Sequence, residues 1–538
     1  MKLFLTLLPL ALGIPAFLAA FTHHLHMFQL NSYHYDVEWK WIFKNIGAVA
    51  LLFFPCALSA ALAIVLTVLL PEAAVYIYGA VLTLVFAAVW LFLTYRKMKK
   101  KAKKPLVYTD RVKRMAFTGV ALYIVPTFVI FLLVGFIKND FVISGLYALI
   151  CESAVLALTP FYVMFVNLVN TPFEASVRRK FTNEAKKLLA QSKNLKIIGI
   201  TGSYGKTSVK YFLTTLLSGS YNVLMTPENF NTPMGVVRTV RERLSPLHEI
   251  FVCEMGAKRV GEIKELCDLV HPQNGVITAV GPQHLDTFGS QERVRKTKFE
   301  LARSLPKDGT VFLNADSEEL MKEEYDGKKV YYSITGKGDY NGTFIRADAS
   351  GTTFRVTHGD ETGEFTMPII GSHNILNCVG AIAVAHELFG ISFEELRAQT
   401  RKLQPVPHRQ QLIDRGRFSI IDDAYNSNPE GAKRALETLA SFDAYRVLIT
   451  PGMVELGEKM EECNKEFGRT AATSCDYAIL VGKKQAEPIM AGLLEGGFPK
   501  EKIYVADSFN EGFSHALALP TNGKKPVILL ENDLPDNF

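Results

Sequence analysis

The sequence predicts a multi-domain chain: an N-terminal bundle of about five transmembrane helices, then a P-loop α/β domain, then a second, Rossmann-like α/β domain. Three observations lead there. The 538 residues exceed what one ordinary core organises. Charge is divided, with 19 Lys and Arg against 8 Asp and Glu in residues 1–190 and 40 against 45 thereafter. From residue 195 onward, apolar strands alternate with helical patterns, as in a parallel sheet covered by helices.

The apolar runs at 3–21, 46–70, 73–95, 116–137 and 141–169 are each long enough to cross a bilayer as a helix. Residues 96–114 carry ten basic side chains against the single Asp110, which keeps that loop on the cytoplasmic side. The N-terminus is then outside, and everything after the fifth run is cytoplasmic: a multi-pass protein of the cell membrane. An alternative is a cleavable leader ending at Ala19-Ala20, which would invert this topology. Glu152, inside the fifth run, is either a functional intramembrane carboxylate or one paired within the bundle. His23, His24, His26 and His34 lack ligand spacing and read as solvated interfacial side chains. The seven cysteines form no C-x-x-C pair, which fits isolated thiols in a reducing compartment.

The domain limits follow. Residues 1–170 form the membrane region. Residues 171–194 form an amphipathic helical connector, with Phe173, Val177, Phe181, Ala185 and Leu188 on one face. Residues 195–400 form the first α/β domain, with a β-rich insertion at about 310–370 where Gly/Asp turns separate alternating strands. Residues 401–538 form the second, with the active site expected in the cleft between the two.

The strand LKIIGI runs into TGSYGKTS and then the helical pattern VKYFLTTLL. Strand, glycine turn and helix is the context in which backbone N–H groups cradle phosphate. Gly202 and Gly205 let the turn close, Lys206 can reach the transferred phosphate, and the Thr207 hydroxyl can ligate Mg²⁺. Thr201, Ser203 and Ser208 complete the phosphate-binding segment. Position 200 is Ile, so the spacing departs from the common P-loop pattern. Two further strands end in Glu254 and near His284; with Lys206 and Thr207 they supply the metal and phosphate groups of one nucleotide site.

Beyond these residues, eight segments resemble the Mur ligases in family order, and within them the branch that adds D-alanyl-D-alanine. They are TGSYGKTS, PENFNTPMGV, EMGA with the following GEI and LC, GPQHLDTFGS, VRKTKFEL, HNILN, IIDDAYNSNP and GMVELGE, spanning roughly residues 195–480. The resemblance implies a Mur-ligase central domain and C-terminal domain, with ATP and two Mg²⁺ ions as cofactors. By it, Lys206 holds the ATP phosphates, Thr207 and Glu254 serve one Mg²⁺, and His284 shares Glu254 with a second. Lys298 falls where the family carries a lysine carbamylated by CO₂. Asn374 and Asn377 match asparagines near adenine, Arg409 a phosphate-contacting arginine, and Asp423 an aspartate between nucleotide and C-terminal domain. Asn426 and Asn428 align with the acceptor side.

The activity implied is an ADP-forming amide-bond ligase working through an acyl phosphate. It would add an amino acid or a D-Ala-D-Ala-like dipeptide to a cell-wall peptide precursor, soluble or lipid-linked, with no nucleic-acid partner. Two departures bear on the substrates: helices stand where the family has a uridine-holding domain, and its late Lys-Gly-Ser-Arg-like stretch is missing. Alternative functions are a Mur-type synthase of a poly-γ-glutamate-like polymer and a nucleotide-switched membrane protein without ligase activity.

Overall fold

The computed structural model describes residues 2–45, 105–138, 150–152, 154–281, 285–348, 351–405, 411–424, 429–454, 456, 459–521 and 523–532, with scattered positions between 58 and 92. It divides into two compact units, Met1–Arg178 with Pro535–Phe538 and Arg179–Leu534.

The first unit contains helices α1 (Lys2–Leu30), α2 (Tyr35–Lys44), α3 (Asp110–Lys138) and most of α4 (Thr159–Gln191). Phe17, Phe21, His24 and Phe28 recur on one stripe of α1 and all are buried. Phe17 stacks on Tyr123 of α3 at 3.9 Å between ring centroids. His24 is therefore an inward-facing residue, not a solvated one, because it shares that stripe. Polar groups link the helices: Arg111 Nη2 donates to Asn167 Oδ1 at 2.9 Å, Asn167 Nδ2 donates to the Tyr35 hydroxyl at 2.8 Å, and Arg114 grips Glu174 with two bonds of 2.7 and 2.9 Å. The Glu152 carboxylate is also buried.

Among the described residues, one helix, Asp110–Ile137, is long and apolar enough to cross a membrane; a bent pair, Ile150–Ala157 with Thr159–Gln191, would make two. Five spans are thus not supported. The runs 46–70 and 73–95 lie almost wholly outside the described residues, and the fifth is a bent pair rather than one straight helix. The connector expected at 171–194 is helical as far as Gln191 and continuous with the helix before it. It is the second half of α4, whose hydrogen bonding continues through residue 170, and the unit boundary falls inside it at Arg178. Only its later residues, Phe181, Ala185, Leu188 and Leu189, pack on the core of the second unit.

The second unit contains two sheets. In the first, strands β1 (Lys196–Thr201), β2 (Val223–Met225), β3 (Ile250–Glu254), β4 (Asn274–Ile277), β5 (Thr310–Asn314) and β6 (Lys328–Ser333) are parallel in the order β2-β3-β1-β4-β5-β6. Strand β7 (Tyr340–Asp348) joins the β6 edge in parallel, and β8 (Gly351–His358) and β9 (Glu361–Met367) follow it in antiparallel pairing. The β-rich stretch expected at about 310–370 is occupied by strands β5–β9, all of them in the first sheet. β5, β6 and β7 pair in parallel, and β8 and β9 are the sheet's antiparallel continuation.

Helices α5 (Lys206–Leu217), α9 (Ser372–Phe389) and α10 (Phe393–Thr400) cover one face of this sheet, and α6 (Pro233–Arg243), α7 (Glu262–Val270) and α8 (Gln291–Arg303) the other. Phe212 and Leu213, sealed under α5, each contribute on the order of 2–3 kcal/mol by burial. The second sheet has β10 (Gln411–Asp414), β11 (Ser419–Asp423), β12 (Tyr445–Thr450), β13 (Tyr477–Val481), β14 (Ile503–Ala506) and β15 (Pro526–Glu531) in the order β10-β11-β15-β12-β13-β14. All its pairings are parallel except the edge pair β10–β11.

Candidate functional site

In the first sheet β1 lies between β3 and β4, so the chain leaves β1 where the strand order reverses, the place where open α/β sheets bind ligands. Residues 202–205 turn there. Gly202 has φ +149° and Gly205 φ +80°, and added methyls would lie 2.1 Å from Thr278 Oγ1 and 2.6 Å from Asn377 Oδ1. Both glycines are thus required by backbone angle and by space. α5 begins at Lys206 with no side-chain cap among the described residues, leaving its first-turn N–H groups to face outward.

The turn is fastened to its neighbours. Ser203 Oγ donates to Gly281 O at 3.2 Å and accepts from Gly281 N at 3.1 Å. Thr201 Oγ1 donates to Met255 O at 2.9 Å, and the Thr278 hydroxyl bonds Tyr204 O. Lys206 Nζ donates to Gly202 O at 2.6 Å and Ser203 O at 3.1 Å, so its ammonium lies across the loop. Ser208 is buried in the first turn of α5.

Glu254 ends β3 beside this loop and is 2% exposed. Its Oε1 accepts from Thr207 Oγ1 at 3.2 Å and Asn231 Nδ2 at 3.0 Å. Its Oε2 forms an ion pair with Lys210 Nζ at 2.9 Å. Burial works against ionisation, but Lys210, Lys206 and the Asn231 amide outweigh it and hold the carboxyl below its ordinary range. A hydroxyl and a carboxylate oxygen side by side are the hard donors that Mg²⁺ takes.

Lys298, on α8, is buried. Burial, reinforced by the charge of Lys206 and opposed by Glu262 and Glu300, pushes its ammonium down to about 7. Asn377 places its amide against Gly205, whereas Asn374 Nδ2 donates to Ile370 O at 2.8 Å, fastening the start of α9. Asp423 ends β11 in the second sheet, where its carbonyl accepts from Asn532 N at 3.2 Å. His284, Arg409, Asn426 and Asn428 lie outside the described residues. The structure thus brings together Thr201, Gly202, Ser203, Gly205, Lys206, Thr207, Glu254 and Asn377.

Three groups escape a reading of the sequence alone. Lys210 and Asn231 hold Glu254, and Thr278 holds the turn. Lys210 sits amid Val209, Tyr211, Phe212 and Leu213, and a lysine inside such a helical run was a legible sign of a buried charge.

The family model of the Mur ligase middle domain matches residues 200–385, and that of the Mur ligase glutamate ligase domain matches residues 408–530. The UDP-N-acetylmuramoyl-tripeptide–D-alanyl-D-alanine ligase of Bacillus subtilis is 35% identical over 321 residues, 59% of this chain and 69% of that protein. The enzyme of that name from Escherichia coli is 32% identical over 295 residues, 54% of this chain and 65% of that protein. The chain therefore spans about two thirds of the length of these relatives. The MurF ligase of Thermotoga maritima, solved in complex with ADP, superposes with a TM-score of 0.58 at 25% identity, covering 66% of this chain and 80% of that one.

Proposed function

We propose that this chain, which belongs to the Mur ligase family, is an ATP-dependent, ADP-forming ligase that joins D-alanyl-D-alanine, or a similar amine, to the peptide carboxylate of a cell-wall precursor. The observation that carries the reading is the convergence of the 202–207 turn and Glu254 at the strand-order reversal of the first sheet. The names of the two relatives supply the substrate class.

In this reading the turn's N–H groups and Lys206 hold the ATP phosphates. The acceptor carboxylate attacks the γ-phosphorus and ADP leaves. The amine then attacks the acyl carbon, phosphate departs with the bonding electrons, and the amine loses a proton. Neither step calls for a protein nucleophile, so the protein acts by positioning and by neutralising charge. Mg²⁺ held by Thr207 and Glu254 supplies charge neutralisation on the phosphoryl group. His284 would serve a second ion, with Arg409, Asp423, Asn374 and Asn377 on the nucleotide. Lys298, pushed down to about 7, keeps a substantial fraction as the free amine that CO₂ carbamylates.

We also assign the first unit to the membrane, as several spans with the catalytic domains on the cytoplasmic side. In support, α3 leaves Phe117, Phe136 and Ile137 between 74% and 79% exposed, a large apolar surface that lipid would cover. The acceptor is then carried on a lipid.

The test is mass spectrometry of the products formed by the full-length protein with Mg²⁺-ATP, D-Ala-D-Ala and either a UDP-linked or a lipid-linked muropeptide. Dipeptide-dependent ADP release is expected, with the new mass in the lipid extract. No dipeptide-dependent ADP release with either acceptor defeats the ligase reading, and turnover confined to the UDP-linked acceptor defeats the lipid substrate.

A further inference from the structure

The topology read from the charge pattern puts residues 22–45, 96–114 and the end of the 141–169 run on one side of the membrane, and in the first unit these stretches meet at Arg111. Its guanidinium lies over the Tyr33 ring at 3.8 Å and gives one N–H to Asn167 Oδ1 at 2.9 Å. Ser32 and Tyr33 stand at φ +54° and +60°, costly backbone angles that persist where a turn is held fixed. The other N–H groups of Arg111 have no acceptor among the described residues. Glu174 is taken by two bonds from Arg114. One turn beyond it on α4 is the exposed Arg178, whose like charge acts on Arg111. Among the described residues no carboxylate pairs with either arginine. Two neighbouring cations without a counter-charge are suited to an anion that carries more than one charge.

An aromatic strip leads away from this cluster. Tyr35, Trp39 and Phe43 recur every four residues on α2, and all are exposed. The Tyr35 hydroxyl donates to Met164 O at 3.5 Å and accepts from Asn167, while the Trp39 ring lies 5.3 Å from that of Phe161. The strip thus starts beside the arginines and runs back along α4 to Phe161, about 9 Å deeper in the apolar run. Cations at the boundary with exposed aromatic rings below them match a ligand with an anionic head and a long apolar tail. Resting on the membrane assignment and the lipid-carried acceptor above, we propose that Arg111 and Arg178 bind the diphosphate head of a long-chain lipid. Tyr35, Trp39 and Phe161 hold the first part of its chain. A phosphodiester lipid, with one negative charge, leaves one arginine unmatched. Tyr33 and Asn167 are positioning residues that fix the guanidinium plane before the head arrives.

The experiment measures binding of radiolabelled geranylgeranyl diphosphate to the full-length protein in phosphatidylcholine nanodiscs, against empty nanodiscs. Saturable binding is expected. Arg111→Gln and Arg178→Gln should each weaken it roughly tenfold, the loss of a charge-assisted bond to phosphate. Lys113→Gln removes an exposed charge that already faces Asp110 and should cost about twofold or less. Trp39→Ala should weaken the lipid and leave competition by inorganic pyrophosphate unchanged. Arg111→Gln can still donate to Asn167 Oδ1, and the exposed Arg178 tests the site if a thermal melt shows that Arg111→Gln fails to fold. Equal losses in all three charge variants mean diffuse surface charge and overturn the proposal, as does the absence of saturable binding. Displacement by an equal concentration of inorganic pyrophosphate overturns it in favour of a free anion, and displacement by phosphatidylglycerol in favour of any acidic lipid. The lipid-acceptor reading fails separately: Arg111-dependent binding in a protein that turns over only the UDP-linked acceptor upholds the site and rejects the lipid substrate.

Discussion

Two buried carboxylates end parallel strands in this molecule, Glu254 in the first sheet and Glu531 in the second, and they are held by different chemistry. Glu254 meets the ammonium of Lys210, the hydroxyl of Thr207 and the amide of Asn231. Glu531 ends β15, between β11 and β12, and accepts from Thr450 Oγ1 at 2.7 Å. That hydroxyl also accepts from Gly452 N at 3.0 Å, and Asn532 Nδ2 donates to Gly452 O at 2.6 Å. Both strands have neighbours on each side in a parallel array. What differs is the loop: a glycine turn opening a lysine-bearing helix at one edge, a network of hydroxyls and amides at the other. The fold offers a crevice, and the residues at the strand ends decide whether it takes phosphate and metal.

Replacing the lysine that lies across the turn should give the largest effect. Lys206→Ala is expected to lower ATP turnover by roughly 10³-fold, as when a preorganised charge at a transferring phosphoryl group is lost. The unfolding temperature should change little, since the bonds of Lys206 to Gly202 O and Ser203 O lie within one loop. Steady-state ADP release and a thermal melt check both; wild-type turnover in the folded variant would remove the loop from the chemistry.

Glu254→Gln separates the two carboxylates through stability. It leaves the fully buried Lys210 ammonium without its counter-charge, which costs about 3–5 kcal/mol where a buried pair is broken. Denaturant unfolding measures it. A loss below about 1 kcal/mol would mean that the ion pair is solvated or that the lysine is neutral.

Lys298 sharpens the comparison on the chemical side. Lys298→Ala should reduce turnover by roughly 10²-fold, and acetate or formate should restore part of it, because a small carboxylate can occupy the place of a carbamate. Activity indifferent to these acids and to bicarbonate depletion would make Lys298 an ordinary buried lysine.

How much of this was legible in the sequence depends on separation along the chain. The turn from Thr201 to Ser208 could be read because strand, glycines and helix are contiguous. The clamp on Glu254 could not, because Lys210 lies 44 positions before it and Asn231 sits in a loop after β2, and the β1–β3 and β2–β3 pairings bring them together. The strands at 310–370 were recognised, but period-two alternation does not say whether a strand joins an existing sheet or forms its own, so their place in the first sheet needed the register. In the first unit, apolar runs gave helices but not their breaks: nothing at residue 170 announced that α4 continues, and the stripe that buries His24 emerges only when Phe17, Phe21 and Phe28 are set beside it.

The smallest effect expected is at Glu531, and it is the sharper test for that reason. Glu531→Gln preserves shape and keeps an oxygen to accept from Thr450 Oγ1. A retained neutral hydrogen bond in place of a charge-assisted one changes stability by about 1 kcal/mol or less. The Thr450 hydroxyl bonds this carboxylate, and the nucleotide reading places no metal on it, so ADP affinity in the presence of Mn²⁺ should equal that of the wild type. Fluorescence titration with a labelled nucleotide, set beside a denaturant melt, measures both quantities on one preparation. If Glu531→Gln left stability intact but weakened nucleotide binding tenfold, a loss of about 1.4 kcal/mol, Glu531 would belong to the site and the contrast between the two edges would fail.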